Sequence, residues 1–243
     1  MESNNLYLEE ICYRSLWLFA TSISRMFFNF KIIGKENLPK ESAILVANHC
    51  TPMDGFLVSS MIFNQIHFFI QYEGIYYTRV GKFLKYSGEI FVKVKEANMG
   101  AMKKSRYVLT KTNDYIGIFP EGPMKDMGKL ETPYGGAAYL SKLTGKDIIP
   151  IGIFVPEEQR QFLEEKGNFH DFKPLDLLKK HYKINKLGKT LYVINVGKSR
   201  NISEIRTGNT KQKIIELTDI LQDDSQRLSE KTRIAYENNQ LYI

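Results

Sequence analysis

The sequence predicts an α/β fold: a single layered domain with a mixed central sheet flanked by helices, plus a helical segment at the N-terminus. Three observations predict it. Short apolar runs alternate with helical stretches along the chain. With 243 residues, 43% of them hydrophobic, the chain can bury one substantial core. The sequence contains neither internal repeats nor a low-complexity linker that would divide it into two domains.

The strands and helices are predicted from the spacing of the apolar residues. Buried strands are expected where apolar residues run almost continuously, at 43–47, 67–71, 89–94, 115–119, 148–154 and 190–196. Helices are expected between them, at 54–63, 76–86, 97–112 and 135–144. The last segment, about 209–238, repeats apolar residues among charges and is typical of an amphipathic helix that packs on the core.

The N-terminal segment 1–30 is predicted to form amphipathic helices at a membrane interface, with 31–243 forming the main domain. The segment is dense in aromatic and aliphatic side chains, and Arg14 and Arg25 are available for lipid headgroups. A helix packed on its own domain is an equally good interpretation. The best apolar run is far shorter than the roughly 20 residues that cross a bilayer, so we expect peripheral (monotopic) association and no spanning helix.

Charge and cysteine content narrow the class of partner and the compartment. Lys and Arg outnumber Asp and Glu by 34 to 27, which favours phosphate groups, anionic headgroups or nucleic acid. No nucleic acid is expected, because no helix-turn-helix, zinc-finger or aromatic RNA-binding signature is present. Cys12 and Cys50 have no metal-ligand spacing, so we expect no metal site and a reducing, cytoplasmic location.

A histidine and an aspartate follow the predicted strand 43–47. Asn48 and His49 leave the strand, Pro52 suits the first turn of a helix, and Asp54 follows His49 by five residues. A carboxylate that accepts from one imidazole nitrogen raises the basicity of the other, which can then deprotonate a hydroxyl. Backbone N–H groups of this loop could also bind an oxyanion. The alternative is a purely structural hydrogen-bonded pair.

Cys50, next to His49, could in principle act as a thiol nucleophile. We do not expect this role, because adjacent residues leaving a strand point apart. No second histidine is placed to activate the thiol.

A second motif, Phe119-Pro120-Glu121-Gly122, directly follows the apolar run 116–118. Together the two motifs resemble the glycerolipid acyltransferase family, typified by lysophosphatidate (1-acylglycerol-3-phosphate) acyltransferases, over about residues 34–155. The segments 88–92 and 149–151 also resemble strands of that family. The resemblance implies that His49 is a general base and Asp54 its orienting partner. It also implies that Asn48, Glu121 and Gly122 bind substrate.

The resemblance further implies O-acyl transfer from acyl-CoA or acyl-carrier protein to a lysolipid hydroxyl, with lysophosphatidate as the leading acceptor in phospholipid biosynthesis. No cofactor other than the thioester co-substrate is expected. Both arginines with which the family binds phosphate are missing, so Lys93 and Lys125 would have to supply positive charge. Two alternatives remain: an acyltransferase acting on a non-phosphorylated or specialised acceptor, and a non-catalytic lipid-binding membrane protein.

Overall fold

A mixed β-sheet organises the computed structural model, which describes residues 2–51, 53–73, 76–93, 96, 98–122, 133–157, 159 and 190–241. The strands of these residues are β1 (Phe28–Ile33), β2 (Ile44–Ala47), β3 (Ile66–Gln71), β4 (Ile90–Val92), β5 (Tyr115–Ile118), β6 (Ile148–Phe154) and β7 (Thr190–Val196). They lie in the order β1-β7-β6-β2-β5-β3-β4. Neighbouring strands are parallel, except that β6 and β7 are antiparallel. The predicted α/β fold is confirmed.

Helices cover both faces of the sheet, which explains why its central strands are apolar on both sides. The helices of the described residues are α1 (Glu2–Phe27), α2 (Asp54–Ser59), α3 (Arg79–Tyr86), α4 (Met99–Lys111), α5 (Gly136–Thr144) and α6 (Thr210–Glu237). Along β2, Leu45 and Ala47 face the core layer that contains α2, while Ile44 and Val46 face α4, α5 and α6. β2 is therefore fixed between two cores.

Helix α6 is fixed both at its start and along the sheet. Its N-cap Asn209 forms a reciprocal capping box with Gln212, which satisfies two backbone N–H groups. Further along, Ser225 donates to the Val46 carbonyl at 3.2 Å and Ser229 donates to the Ile153 carbonyl at 2.6 Å. The helix thus holds the ends of β2 and β6 in place.

The N-terminal segment differs from the prediction. It is one helix that ends at Phe27, and residues 28–30, expected to be helical, begin strand β1. The physical reason is the period-two alternation of Phe28, Phe30 and Ile32, which places these apolar side chains against the core that contains α2. No helix in the described ranges has both the length and the apolarity needed to cross a membrane.

Candidate active site

Asn48 shapes the exit from β2. Its amide oxygen accepts from the Ile153 backbone N–H at 2.6 Å, and its amide nitrogen donates to the Ile153 carbonyl at 3.0 Å. The side chain therefore extends the pairing between β2 and β6 beyond the last backbone pair. This buried brace determines the direction in which the next residue, His49, leaves the sheet.

His49 and Asp54 are in direct contact just after the end of β2. The Nδ1 atom of His49 lies 2.6 Å from Oδ2 of Asp54, the first residue of α2. The same oxygen accepts the backbone N–H groups of Cys50 at 2.6 Å and Thr51 at 2.9 Å. Because a carboxylate that accepts these bonds is ionised and can only accept, Nδ1 carries the proton. The Nε2 lone pair of His49 is then available to take a proton from another group.

The other oxygen of Asp54 is held by two hydroxyl groups. Oδ1 accepts from Thr51 Oγ1 and from Tyr192 Oη, each at 2.7 Å. Asp54 is completely buried, and a buried carboxylate is tolerated only when it is well hydrogen-bonded. Among the described residues five hydrogen bonds reach it, so its position and orientation are closely defined.

A stack of aromatic rings ends on His49. The Phe119 ring lies 4.3 Å from the imidazole at an interplanar angle of 16°, and the Phe68 ring stacks on Phe119 at 5.6 Å. Gly117 makes room for this stack, because a Cβ at that position would lie 2.4 Å from the Phe68 ring. One face of the imidazole is thus covered by Phe119, while 16% of the His49 side chain remains exposed.

Glu121 and Gly122 form the turn after β5. Gly122 has φ +77°, and its N–H donates to the Phe119 carbonyl at 3.1 Å. The Glu121 carboxylate lies near the backbone N–H and the ring of His49, so the two loops meet at this residue. Burial raises the pKa of Glu121 and the Asp54 charge adds to the effect, while the His49 N–H and ring act in the opposite direction.

A family model for acyltransferases matches residues 29–154, which is 126 of the 243 residues and more than half of the chain. The chain belongs to the acyltransferase family. The resemblance inferred from the two motifs is therefore confirmed. A comparison with curated proteins returned no match.

The acyltransferase also shares its fold with a solved structure, the 1-acyl-sn-glycerophosphate (LPA) acyltransferase PlsC from Thermotoga maritima. The TM-score is 0.63, and the aligned region covers 96% of this chain and 82% of that one. Because the sequences are only 18% identical, this similarity establishes the fold alone.

Several backbone N–H groups of the loop before Asp54 already have acceptors within the protein. The backbone N–H groups of Cys50 and Thr51 donate to Asp54, that of Met53 donates to Thr51 Oγ1, and that of Asp54 donates to the Thr51 carbonyl. The intervening Pro52 has no N–H to offer. These four N–H groups are therefore not available to an oxyanion, and an oxyanion hole formed by the other N–H groups at the start of α2 stays a prediction.

The two lysines predicted to supply positive charge, Lys93 and Lys125, are not seen beside His49 in the part of the chain that the structure describes. Lys93 follows β4, where its Nζ lies 3.5 Å from the Glu96 carboxylate and half of its side chain is exposed. β4 is the third strand from β2, and neighbouring strands are roughly 4.8 Å apart. The backbone of Lys93 therefore lies about 14 Å across the sheet from that of His49. Lys125 lies outside the described residues.

Two further residues lie near His49: Cys50, which was not expected to take part in the reaction, and Tyr192. Cys50 is buried and its thiol donates to the Ile153 carbonyl at 3.3 Å. Tyr192 was not recognised as a site residue. The available signal was a hydroxyl within the apolar strand 190–196, which requires a buried partner but does not identify it.

Proposed function

We propose that this acyltransferase moves a fatty acyl group from acyl-CoA or acyl-carrier protein to a hydroxyl of a lysolipid, with His49 as the general base and Asp54 orienting it. The supporting observation is the 2.6 Å contact between His49 Nδ1 and a fully buried Asp54, just after the carboxyl end of β2. This geometry presents Nε2 as a base with a fixed tautomer. Family membership supports the thioester donor and the lipid acceptor.

In the proposed reaction, Nε2 of His49 removes the proton from the acceptor hydroxyl as its oxygen attacks the thioester carbonyl. The Asp54 carboxylate stabilises the imidazolium that forms. The tetrahedral intermediate then collapses, the carbon–sulfur bond breaks, and the imidazolium returns its proton to the departing thiolate. The products are the acylated lipid and a free thiol, and no covalent acyl-enzyme is required.

Lysophosphatidate is the leading acceptor, and a non-phosphorylated lipid is the second candidate. The second is favoured by a specific observation: Lys93, the described candidate for phosphate binding, pairs with Glu96 at 3.5 Å and lies well along the sheet from His49. A lysine is also a less selective phosphate ligand than the bidentate arginine fork that the sequence lacks. The phosphate group is thus the feature on which the acceptors should be compared.

The test uses two acceptors that differ only in phosphate, 1-oleoylglycerol-3-phosphate and 1-oleoylglycerol. Purified protein is incubated with an acyl-CoA or an acyl-carrier protein and each acceptor, and products are identified by mass spectrometry while thiol release is followed. We expect transfer to the phosphorylated acceptor, abolished in a folded His49→Ala variant. Transfer to the unphosphorylated acceptor alone would favour the second candidate. No transfer and no thiol release with either donor would favour a non-catalytic lipid-binding protein.

We further propose that α1 holds the enzyme on the cytoplasmic face of a membrane. One side of the helix packs on the domain through Tyr13, Leu16 and Ala20. The opposite side exposes Leu18 and Phe19 together with other apolar residues at the same helical face, namely Ile11 and Met26. Exposed apolar side chains interleaved with arginines are typical of a helix that lies in a lipid interface.

The membrane proposal is tested by vesicle co-sedimentation. The double variant Leu18→Gln/Phe19→Gln should lose most of its binding to vesicles that contain anionic phospholipid, because both side chains are about half exposed or more. The matched control is Ile215→Gln/Ile234→Gln on α6, where both isoleucines are similarly exposed. Equal binding of the two double variants would contradict a specific role for α1.

A further inference from the structure

Tyr192 joins a distant strand to the catalytic turn. It lies on β7, outside the residues matched by the family model, and its side chain is fully buried. Its hydroxyl donates to Asp54 Oδ1 at 2.7 Å, across 138 residues of sequence. This is a long-range bond to a residue whose partner, His49, is the proposed base.

The bonds to Asp54 differ between its two oxygens. Oδ2 accepts from His49 and from the backbone of Cys50 and Thr51. Oδ1 accepts from the side chains of Thr51 and Tyr192. Of these five donors four belong to residues 49–51, which would move together with the turn. Among the described donors, Tyr192 is therefore the one that fixes the Asp54 carboxylate relative to the rest of the sheet.

The Tyr192 ring is itself firmly held. The rings of Phe28 and Phe30, on the neighbouring strand β1, lie 5.7 Å and 5.9 Å from it. Burial, followed by the nearby Asp54 charge, raises the pKa of Tyr192 well above its ordinary value. The phenol thus stays protonated and keeps donating to Asp54 across the working pH range.

We propose that Tyr192 is a positioning residue, which fixes the rotation of the Asp54 carboxylate and thereby the tautomer and direction of His49. The proposal rests on the proposed function, because it assigns Tyr192 a role in orienting the base. Tyr192 lies beneath the catalytic pair and acts through Asp54 rather than on a substrate.

The test compares Tyr192→Phe with Tyr115→Phe. Both substitutions remove one buried phenol hydrogen bond, but the Tyr115 hydroxyl donates to the Pro39 carbonyl at 2.5 Å, at the start of β5 and away from His49. We expect Tyr192→Phe to lower kcat about tenfold with KM unchanged, as for the loss of a hydrogen bond to a charged group. The acid limb of kcat/KM should move to higher pH, because a less neutralised Asp54 holds the His49 proton more tightly.

A second readout does not require turnover. The NMR signal of the His49 Nδ1 proton, assigned by its loss in His49→Ala, should shift in Tyr192→Phe and stay unchanged in Tyr115→Phe. In an Asp54→Asn background, Tyr192→Phe should lower kcat by a smaller factor than it does in the wild type, since the effects of coupled residues are not additive.

Several results would overturn the proposal. Behaviour of Tyr192→Phe identical to that of Tyr115→Phe would do so, as would a fall in kcat with an unchanged pH profile and Nδ1 signal, which would indicate a general structural role. A rise in KM alone would place Tyr192 in contact with substrate. If the wild-type enzyme transfers no acyl group, the proposed function fails, whereas the Nδ1 signal still decides whether Tyr192 positions His49.

Discussion

Replacing Asp54 with asparagine removes the charge that faces His49 and keeps the size of the side chain. The structure predicts how the amide will orient. Oδ2 faces three N–H donors, whereas Oδ1 faces the hydroxyls of Thr51 and Tyr192, which can rotate to accept instead of donate. The amide oxygen should therefore take the Oδ2 position, and His49 should keep its tautomer.

The expected loss then reflects the missing charge alone. Opposite unit charges about 4 Å apart attract by roughly 4 kcal/mol at an effective dielectric constant of about 20. In the wild type this attraction stabilises the imidazolium that forms in the transition state. Asp54→Asn removes it, so kcat should fall about a thousandfold. His49→Ala removes the base entirely, so its kcat should be lower still.

The assay is thiol release at saturating donor and acceptor, with the melting temperature recorded for each variant. Asp219→Asn, on the exposed side of α6, is the matched control and should behave as wild type. Activity of Asp54→Asn within tenfold of wild type, in a folded protein, would refute the electrostatic role of Asp54. Activity as low as that of His49→Ala would refute the amide orientation argued from the hydroxyls.

Three other substitutions, one of them paired with a control, test the packing, ionisation and chemistry of the site. Gly117→Ala should lower the free energy of unfolding by about 1–3 kcal/mol in urea titrations because its Cβ meets the Phe68 ring at 2.4 Å. Gly100→Ala, whose Cβ meets nothing within 4 Å, should raise it by about 0.5–1 kcal/mol, and equal effects would contradict this reasoning. Glu121→Gln should raise the Tm at neutral pH, because burial raises the Glu121 pKa and ionisation then costs stability. The gain should vanish as pH falls through that raised pKa toward the ordinary value of 4.5, and a gain that persists in acid would count against it. Cys50→Ser should keep most of the transfer activity, and its loss in a folded protein would point to a thiol nucleophile.

The contact between His49 and Asp54 could be predicted because its information is local. A histidine at a strand end and an aspartate five residues later, at the start of a helix, can meet within one turn. The proximity of Glu121 was also predictable, because parallel strands end at the same edge of the sheet. β1 could have been recognised from the alternation of Phe28 and Phe30, which the neighbouring helical pattern obscured.

Other features of the site depend on contacts that the sequence does not reveal. Tyr192 meets Asp54 across 138 residues, and nothing near it in sequence indicates that pairing. Asn48 was predicted from the family resemblance to bind substrate, yet both ends of its side-chain amide form hydrogen bonds with Ile153 on β6. A polar residue at a strand end can serve the scaffold or the ligand, and the choice depends on the neighbouring strand.

The junction between α1 and β1 has a practical consequence for handling this enzyme. The helix ends at Phe27 and the strand begins at Phe28, so no spare residue separates them. Cutting the chain before the sheet would uncover the surface on which Tyr13, Leu16 and Ala20 rest, and a cut after residue 30 would also remove the rings beside Tyr192. The proposed membrane contact of α1 should therefore be removed by redesigning the outer surface of the helix rather than by shortening the protein.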